Sequence, residues 1–200
     1  MSHTLYSFPF ACSFAVHATL IQQEFPFLVV HVPRGPDRKV VDDALATLNP
    51  KRKVPTLVLP TGEVLTEIVS VLYTLDEAVE RTRAERRGVL EWLSFVATEL
   101  HQQVVGPAFD PHLPDGALDD VHDRLLPPLL EHLRGVLGAQ PVVGETPSVA
   151  DAYLTWALML LRNRWPEDAR GEGISEYWRF MVAQPHIQAA LAAEKQALAA

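Results

Sequence analysis

Three short segments in the first third of the chain carry residue types that can do chemistry together. Cys12 follows an apolar run and precedes a helix-like stretch, so its thiol is expected where a strand turns into a helix. Val54-Pro55 precedes Thr56–Leu59, which is typical of the first strand of a tight hairpin. Thr66-Glu67 opens a second helix-like stretch after that hairpin. Together, the thiol, the Val-Pro step and the acid at a helix start indicate a site for a small thiol peptide.

The thiol of Cys12 has two interpretations. A lone cysteine is most often a small buried apolar residue. At the N-terminus of a helix, however, the dipole stabilises the thiolate and lowers the cysteine pKa from about 8.5. The chain contains a single cysteine, which excludes an intramolecular disulfide, a dithiol exchange mechanism and a multi-cysteine zinc site. A site built on Cys12 would therefore hold an external thiol, or Cys12 would attack with its own sulfur.

The acid Glu67 also has two interpretations. It can serve only as a first-turn acid, since the unpaired amides and the positive dipole at a helix N-terminus favour an anion. Alternatively, the amides bind a ligand carboxylate and the Glu67 side chain binds a ligand ammonium. An amino-acid headgroup needs both charges to be matched in one place.

Other polar residues give weaker signals. His101 lies nine residues after Trp92 on one predicted helix and could project toward Cys12, although a lone helical histidine is more often a surface residue. His17 fits the apolar face of the first helix and is expected in the core. Ser148 and Asp151 form a capping box before an apolar helix that should be the buried centre of the second domain. The spacing of the His, Asp and Glu residues predicts no metal site.

Composition limits the class of protein. The net charge is −8 and no basic tract occurs, so neither nucleic acid nor an anionic membrane is expected as a partner. Apolar runs are far shorter than the roughly 20 residues of a membrane span. The stretch Met1 to Leu5 lacks the charged and apolar order of a secretory signal. A cytoplasmic protein is the expectation.

The elements that must position these residues change character near residue 80. Residues 1–80 follow the order βαβαββα, an α/β pattern with a partly antiparallel sheet. The second strand, Phe27 to Val32, is nearly continuous in apolar residues and is expected to be covered on both faces. Residues 81–88 are charged and are expected to be a linker. Residues 89–200 carry helical periodicity only, with an interruption expected at Pro127-Pro128.

The combination of these motifs resembles the glutathione transferases, specifically the bacterial beta class. The matching segments are Leu5 to Ser7, Cys12-Ser13, Asn49-Pro50-Lys51, Val54-Pro55, Leu65-Thr66-Glu67, Glu91-Trp92-Leu93, Thr98 to His101 and Ser148 to Leu154. This resemblance implies a thioredoxin-like N-terminal domain (1–80), an all-helical C-terminal domain (89–200), a cis Val54-Pro55 bond and a homodimer that acts in detoxification.

The resemblance also implies the ligand and the site. Glutathione is the expected co-substrate, with no permanently bound cofactor, and a small hydrophobic electrophile is the second substrate. Cys12 and His101 are the catalytic candidates. The glutathione-binding candidates are Ala11, Arg38, Lys53, Val54, Pro55, Glu67 and Ile68. The candidates for the co-substrate pocket are Phe10, Val105, Phe109 and His112.

Three departures from the family pattern leave an alternative open. Ile68 stands where the family usually has a hydroxyl residue or glycine, Asp37 aligns with its usual basic residue, and Ser94 aligns with its usual asparagine. The main hypothesis is a transferase that conjugates glutathione or catalyses glutathione-dependent thiol-disulfide exchange. The alternative hypothesis is a binding or scaffold protein of the same fold with little activity, because each lost charged hydrogen bond costs about 1.5–3 kcal/mol.

Overall fold

The computed structural model of the chain describes residues 2–35 and 40–199, which form two compact units. One unit contains residues 1–80 together with residues 184–200, and the other contains residues 81–183. The predicted second domain therefore differs from the structure at its C-terminal end, because the last helix belongs with the first unit. Asp37 and the binding candidate Arg38 lie outside the described residues.

The first unit is built on a four-stranded mixed sheet with the order β2-β1-β3-β4. The strands are β1 (His3–Ser7), β2 (Phe27–His31), β3 (Thr56–Val58) and β4 (Val64–Thr66). Strand β1 pairs in parallel with β2 and antiparallel with β3, and β3 pairs antiparallel with β4. In this register Leu5 lies opposite both Val29 and Leu57. The predicted βαβαββα order and thioredoxin-like sheet are confirmed.

Strand β2 differs from the expectation that both of its faces are covered. It lies at the edge of the sheet, and Leu28 is 58% exposed. An apolar run fits a covered strand and an edge strand equally well, so the run alone could not distinguish them. By contrast, the alternate residues His3, Leu5 and Ser7 of the neighbouring strand β1 are all buried.

In the described residues, four helices accompany this sheet: α1 (Ser13–Gln22), α2 (Asp43–Leu48), α3 (Ile68–Asp76) and, much later in the chain, α10 (Pro185–Ala199). Helix α1 is buried almost all round. Part of that cover comes from α10, which packs on α1 and buries Ile187 and Ala190. The Asp42 side chain caps α2 by accepting a hydrogen bond from the Leu45 amide at 2.6 Å.

The second unit is helical throughout its regular structure in the described residues. Its helices are α4 (Arg83–Phe95), α5 (Gly106–Ala108), α6 (Ala117–Asp120), α7 (Leu126–Val136), α8 (Val149–Arg164) and α9 (Glu172–Val182), with π-helical segments at Val96–Val105 and Val121–Leu125. The second π-helical segment ends just before Pro127-Pro128, where an interruption was predicted. None of the helices in the described part of the chain has the length and apolarity to cross a membrane.

The predicted linker 81–88 is wrong over most of its length, because α4 begins at Arg83. A capping box holds this helix start: Glu85 Oε2 accepts from the Thr82 amide at 2.8 Å, and Thr82 Oγ1 accepts from the Glu85 amide at 3.2 Å. The Thr82 hydroxyl also donates to Glu85 Oε2 at 2.7 Å, and this hydrogen bond, together with the one from the Thr82 amide, lowers the pKa of the Glu85 carboxyl. A stretch of charged residues can therefore be the exposed first turns of an amphipathic helix.

The predicted capping box at Ser148 and Asp151 is confirmed at the start of α8, a nearly all-buried helix. Asp151 is completely buried and accepts hydrogen bonds from the Ser148 amide at 2.7 Å, the Val142 amide at 2.8 Å and the Tyr177 hydroxyl at 2.9 Å. Burial nevertheless raises the pKa of this carboxyl, against the lowering effect of those donors. Asp151 thus joins the loop before α8, the α8 N-terminus and α9.

Candidate functional site

Cys12 is the residue immediately before α1 and is almost buried, with 9% of its surface exposed. Its Sγ donates a weak hydrogen bond to the Val54 carbonyl oxygen at 3.6 Å. Cys12 and Val54, two of the predicted site residues, are therefore in contact. The expected lowering of the thiol pKa by the helix is wrong: burial raises the pKa of Cys12 to about 12. The dipole effect is smaller than the cost of placing a thiolate in a dry site.

Two charged side chains act on the Cys12 thiol through space. Arg34 lowers the pKa of the thiol and Glu67 raises it, although both effects are weaker than that of burial. The Arg34 guanidinium lies over the Phe8 ring, 4.5 Å from its centroid, and so is held near the segment that leads to Cys12. No motif in the sequence indicates Arg34, because its closeness to the thiol depends on where the folded chain runs after β2.

The backbone before Cys12 is anchored by a buried acid from the other end of the chain. Glu194 of α10 is completely buried and accepts from the Phe10 amide at 2.6 Å and from His17 Nδ1 at 3.0 Å. Because a carboxylate only accepts, His17 Nδ1 carries the proton of this hydrogen bond. Phe10 has a φ of 58°, a conformation that is uncommon for a residue with a side chain. His17 is a core histidine as predicted, but its partner Glu194 was missed.

The Val54 segment is stabilised by side-chain hydrogen bonds to the backbone. Asn49 Nδ2 donates to the Lys53 carbonyl at 3.0 Å and to Thr56 Oγ1 at 2.9 Å. Thr56 Oγ1 in turn donates to the Lys53 carbonyl at 3.0 Å. The Val54-Pro55 bond is cis, as predicted. Val54 is half-buried, Pro55 is buried and Lys53 is exposed.

Glu67 is the residue before α3, and its φ of 68° is again uncommon for a non-glycine residue. Its side chain does not cap the amides of α3. It makes an ion pair with Lys51 instead, and Lys51 Nζ also donates to Thr66 Oγ1 at 3.0 Å. The interpretation of Glu67 as a plain first-turn acid is therefore wrong. Lys51 belongs to the segment Asn49-Pro50-Lys51, which resembles the family pattern but carries no motif that indicates a binding role for Lys51.

The remaining binding candidates of the first unit surround these groups. Ile68 is the first residue of α3 and is 9% exposed, so little of this residue reaches the surface beside Glu67. Ala11 is half-buried and its carbonyl accepts from the Phe14 amide at 2.9 Å in the first turn before α1. Phe10, a co-substrate candidate, is half-buried in the same segment.

His101 lies in the second unit, within the π-helical segment Val96–Val105. A hydrogen bond of 2.6 Å joins its Nδ1 to the Tyr153 hydroxyl. Its ring contacts the Trp156 ring edge-on, with the centroids 4.5 Å apart. These two residues of α8 fix the orientation of the imidazole. A catalytic role for His101 stays a prediction.

The other candidates of the second unit differ in burial. Val105 is buried, Phe109 is half-buried and His112 is exposed, with its amide donating to Asp110 Oδ1 at 3.0 Å. Ser94, at a position where the family usually has asparagine, donates its hydroxyl to the Leu90 carbonyl of the same helix at 2.7 Å. The role of Val105, Phe109 and His112 in a co-substrate pocket stays a prediction.

The described residues contain no group of three His, Cys, Asp or Glu side chains arranged to hold a metal ion. The chemistry available in the first unit is that of a protonated thiol, an exposed carboxylate and a set of helix amides. These groups suit a ligand that carries both an ammonium and a carboxylate and that presents a sulfur atom.

Comparison with known proteins gives consistent matches. The family model described as "Glutathione S-transferase, N-terminal domain" matches residues 11–78. The glutathione S-transferase GstA of Escherichia coli O157:H7 is 32% identical over 196 residues, covering 93% of this chain and 96% of that protein.

Solved structures match over nearly the full chain as well. The bacterial beta class glutathione S-transferase of Sphingomonas chungbukensis is 31% identical with a TM-score of 0.76, covering 96% of this chain and 98% of that one. A sphingomonad glutathione S-transferase complexed with glutathione is 29% identical with a TM-score of 0.75, with the same coverage of 96% and 98%.

Proposed function

This chain belongs to the glutathione S-transferase family, and from that premise we propose that it binds glutathione beside Cys12 and conjugates it to a small apolar electrophile. The chain is an enzyme, a glutathione transferase, and glutathione is its co-substrate. The observation that supports the proposed site is the grouping of the Cys12 thiol, the Val54 carbonyl and the Glu67 carboxylate within the first unit.

In the proposed complex, glutathione lies along the Val54 segment as an added strand and exchanges main-chain hydrogen bonds with Val54. Its γ-glutamyl carboxylate accepts from the first-turn amides of α3. The side chain of the N-cap residue Glu67 does not cap these amides. Its γ-glutamyl ammonium binds the Glu67 carboxylate. The glutathione sulfur then lies near Cys12 at the N-terminus of α1, where the dipole favours a thiolate.

The protonation state of Cys12 favours conjugation over thiol-disulfide exchange. A thiol whose pKa is raised to about 12 keeps its proton at neutral pH, and a protonated thiol is a poor nucleophile. When glutathione binds, the Cys12 S–H can turn from the Val54 carbonyl and donate its proton in a hydrogen bond to the glutathione thiolate. That thiolate attacks the electrophilic carbon, a carbon–sulfur bond forms, and the leaving group departs with its electron pair. The proton lost from glutathione passes to solvent.

Three variants and two measurements test this proposal. The wild-type chain should bind glutathione in a calorimetric titration and conjugate it to an aromatic chloride. Glu67→Gln should weaken binding about tenfold, because a hydrogen bond between charged groups is lost. Cys12→Ala should retain conjugation, and His101→Ala should lower kcat without changing the KM for glutathione.

The opposite results favour other functions. A folded wild-type chain that fails to bind millimolar glutathione would support the scaffold hypothesis motivated by Ile68, Asp37 and Ser94. Loss of all activity in Cys12→Ala would support a cysteine-dependent thiol transferase instead. A homodimer that acts in the cytoplasm is part of the proposal, and light scattering at twice the mass of one chain would support the dimer.

A further inference from the structure

Lys51, Thr66 and Glu67 form a small charged cluster at the start of α3. The Lys51 ammonium contacts the Glu67 Oε1 atom and donates to Thr66 Oγ1 at 3.0 Å. Both charged side chains remain open to solvent, with 47% of the Lys51 side chain and 70% of the Glu67 side chain exposed. An exposed ion pair of this kind contributes little to stability. The ion pair lies at the start of α3, whose amides the Glu67 side chain does not cap. This position favours a role of the pair in recognising a ligand.

The contacts within the cluster leave part of its hydrogen-bonding capacity unused. An ammonium has three N–H donors, and the described contacts of Lys51 Nζ use two of them, one to Thr66 and one to Glu67. A carboxylate has two oxygens, and Lys51 contacts Oε1 only. The exposed cluster can therefore offer one cationic donor and one anionic acceptor side by side, which is the complement of an amino-acid zwitterion.

On the basis of the proposed function, we propose that Lys51 is a specificity-determining residue that donates a hydrogen bond to the α-carboxylate of the γ-glutamyl group. Ile68 has no hydroxyl to offer that carboxylate, so the Lys51 ammonium supplies the second donor beside the α3 amides. The ligand ammonium binds Glu67 Oε2, and the charges of Lys51, Glu67 and the ligand then alternate in sign. The chain thereby selects thiol peptides with a free α-amino and α-carboxylate end.

The test compares glutathione with an analogue in which 4-aminobutyrate replaces the γ-glutamyl residue, so that only the α-carboxylate is absent. Lys51→Met should weaken calorimetric binding of glutathione about tenfold, as expected for a lost charged hydrogen bond. The same variant should bind the analogue within about twofold of the wild-type affinity, because no carboxylate is there to lose. Lys51→Arg should restore most of the glutathione affinity.

Lys195→Met is the matched control, since it removes the same charge from an exposed lysine on α10 and should leave both affinities unchanged. If Lys51→Met binds glutathione as well as the wild type, the role of Lys51 is overturned while the proposed function stands. Tighter binding by Lys51→Met would also overturn it, since Lys51 would then compete with the ligand ammonium for Glu67. A wild-type chain that binds neither probe overturns both proposals.

Discussion

Cys12 shows how two physical effects oppose each other at one residue. Its position before α1 favours the thiolate, whereas near-complete burial favours the thiol. Burial dominates and raises the pKa to about 12. The sequence predicts the helix and the thiol because both are local, but it leaves burial as one of two interpretations, because burial depends on segments as distant as Val54. The sign of the pKa shift was wrong for that reason.

The raised pKa of Cys12 predicts an alkaline loss of stability. Above about pH 8.5–9, the ordinary range of a thiol pKa, the unfolded chain loses the thiol proton while the folded chain keeps it until about pH 12. The folded state then binds more protons, so stability falls as pH rises. The loss should reach roughly 2–3 kcal/mol by pH 11.

Urea unfolding at pH 7, 9 and 11 would measure this effect as the difference between the wild type and Cys12→Ala. The variant removes the thiol, so its stability should fall less steeply with alkaline pH. Parallel pH dependences of the two proteins would show that the folded thiol titrates normally.

Glu194 is a second residue whose role is set by distant parts of the chain. Glu194→Ala leaves the Phe10 amide and His17 Nδ1 without their buried acceptor, and should lower the free energy of unfolding by about 2–4 kcal/mol. Glu194→Gln keeps one carbonyl oxygen for one of the two donors and should cost less. Equilibrium urea unfolding measures both values. Equal stability of the alanine variant and the wild type would refute the role of Glu194 as an anchor.

At the scale of the elements, the periodic segments were predicted well and their environments less well. The strands and helices of residues 1–80 follow from their apolar patterns, helical spacing and the tight hairpin after Val54-Pro55. The start of α4 was missed although Thr82 and Glu85 stand at capping-box spacing, a signal that the charged surroundings concealed. The edge position of β2 could not be predicted, because strand order is a property of the assembled sheet.

Two helical glycines give an opposed pair of predictions. A Cβ at Gly173 of α9 would lie 2.5 Å from the Leu137 carbonyl oxygen and 2.6 Å from that of Arg134, so Gly173→Ala should destabilise the chain by about 1–3 kcal/mol. A Cβ at the exposed Gly135 of α7 meets nothing within 4 Å, so Gly135→Ala should stabilise it by about 0.5–1 kcal/mol. Thermal melts of both variants check the signs. Stabilisation by Gly173→Ala would contradict the close approach of α9 to α7.

At the scale of the whole molecule, the first unit is not one continuous stretch of the chain, because it contains both ends of the sequence. Residues 184–200 close the first unit, so α10 covers α1 only after the entire second unit has been made. The sequence indicates a helix there but not its partner, because an alanine-rich helix can pack on many surfaces.

A chain that ends at Ala183 tests this organisation. It would expose the face of α1 that α10 covers and would remove Glu194, so the first unit should unfold at a lower temperature than in the full chain. Limited proteolysis should then cleave within residues 1–80 before it cleaves within residues 81–183. Equal protection of residues 1–80 in both chains would contradict a structural role for α10.

The central claim is that glutathione is held by the Val54 backbone and by the start of α3. The most direct measurement is a titration of the ¹⁵N-labelled chain with glutathione, followed by the amide resonances in an NMR spectrum. We predict saturable shifts at the amides of Val54, Glu67 and Ile68 that the Glu67→Gln variant shows only at higher glutathione concentrations. Unchanged Val54 and Ile68 amides at saturating glutathione, or saturable shifts confined to other parts of the chain, would contradict the account.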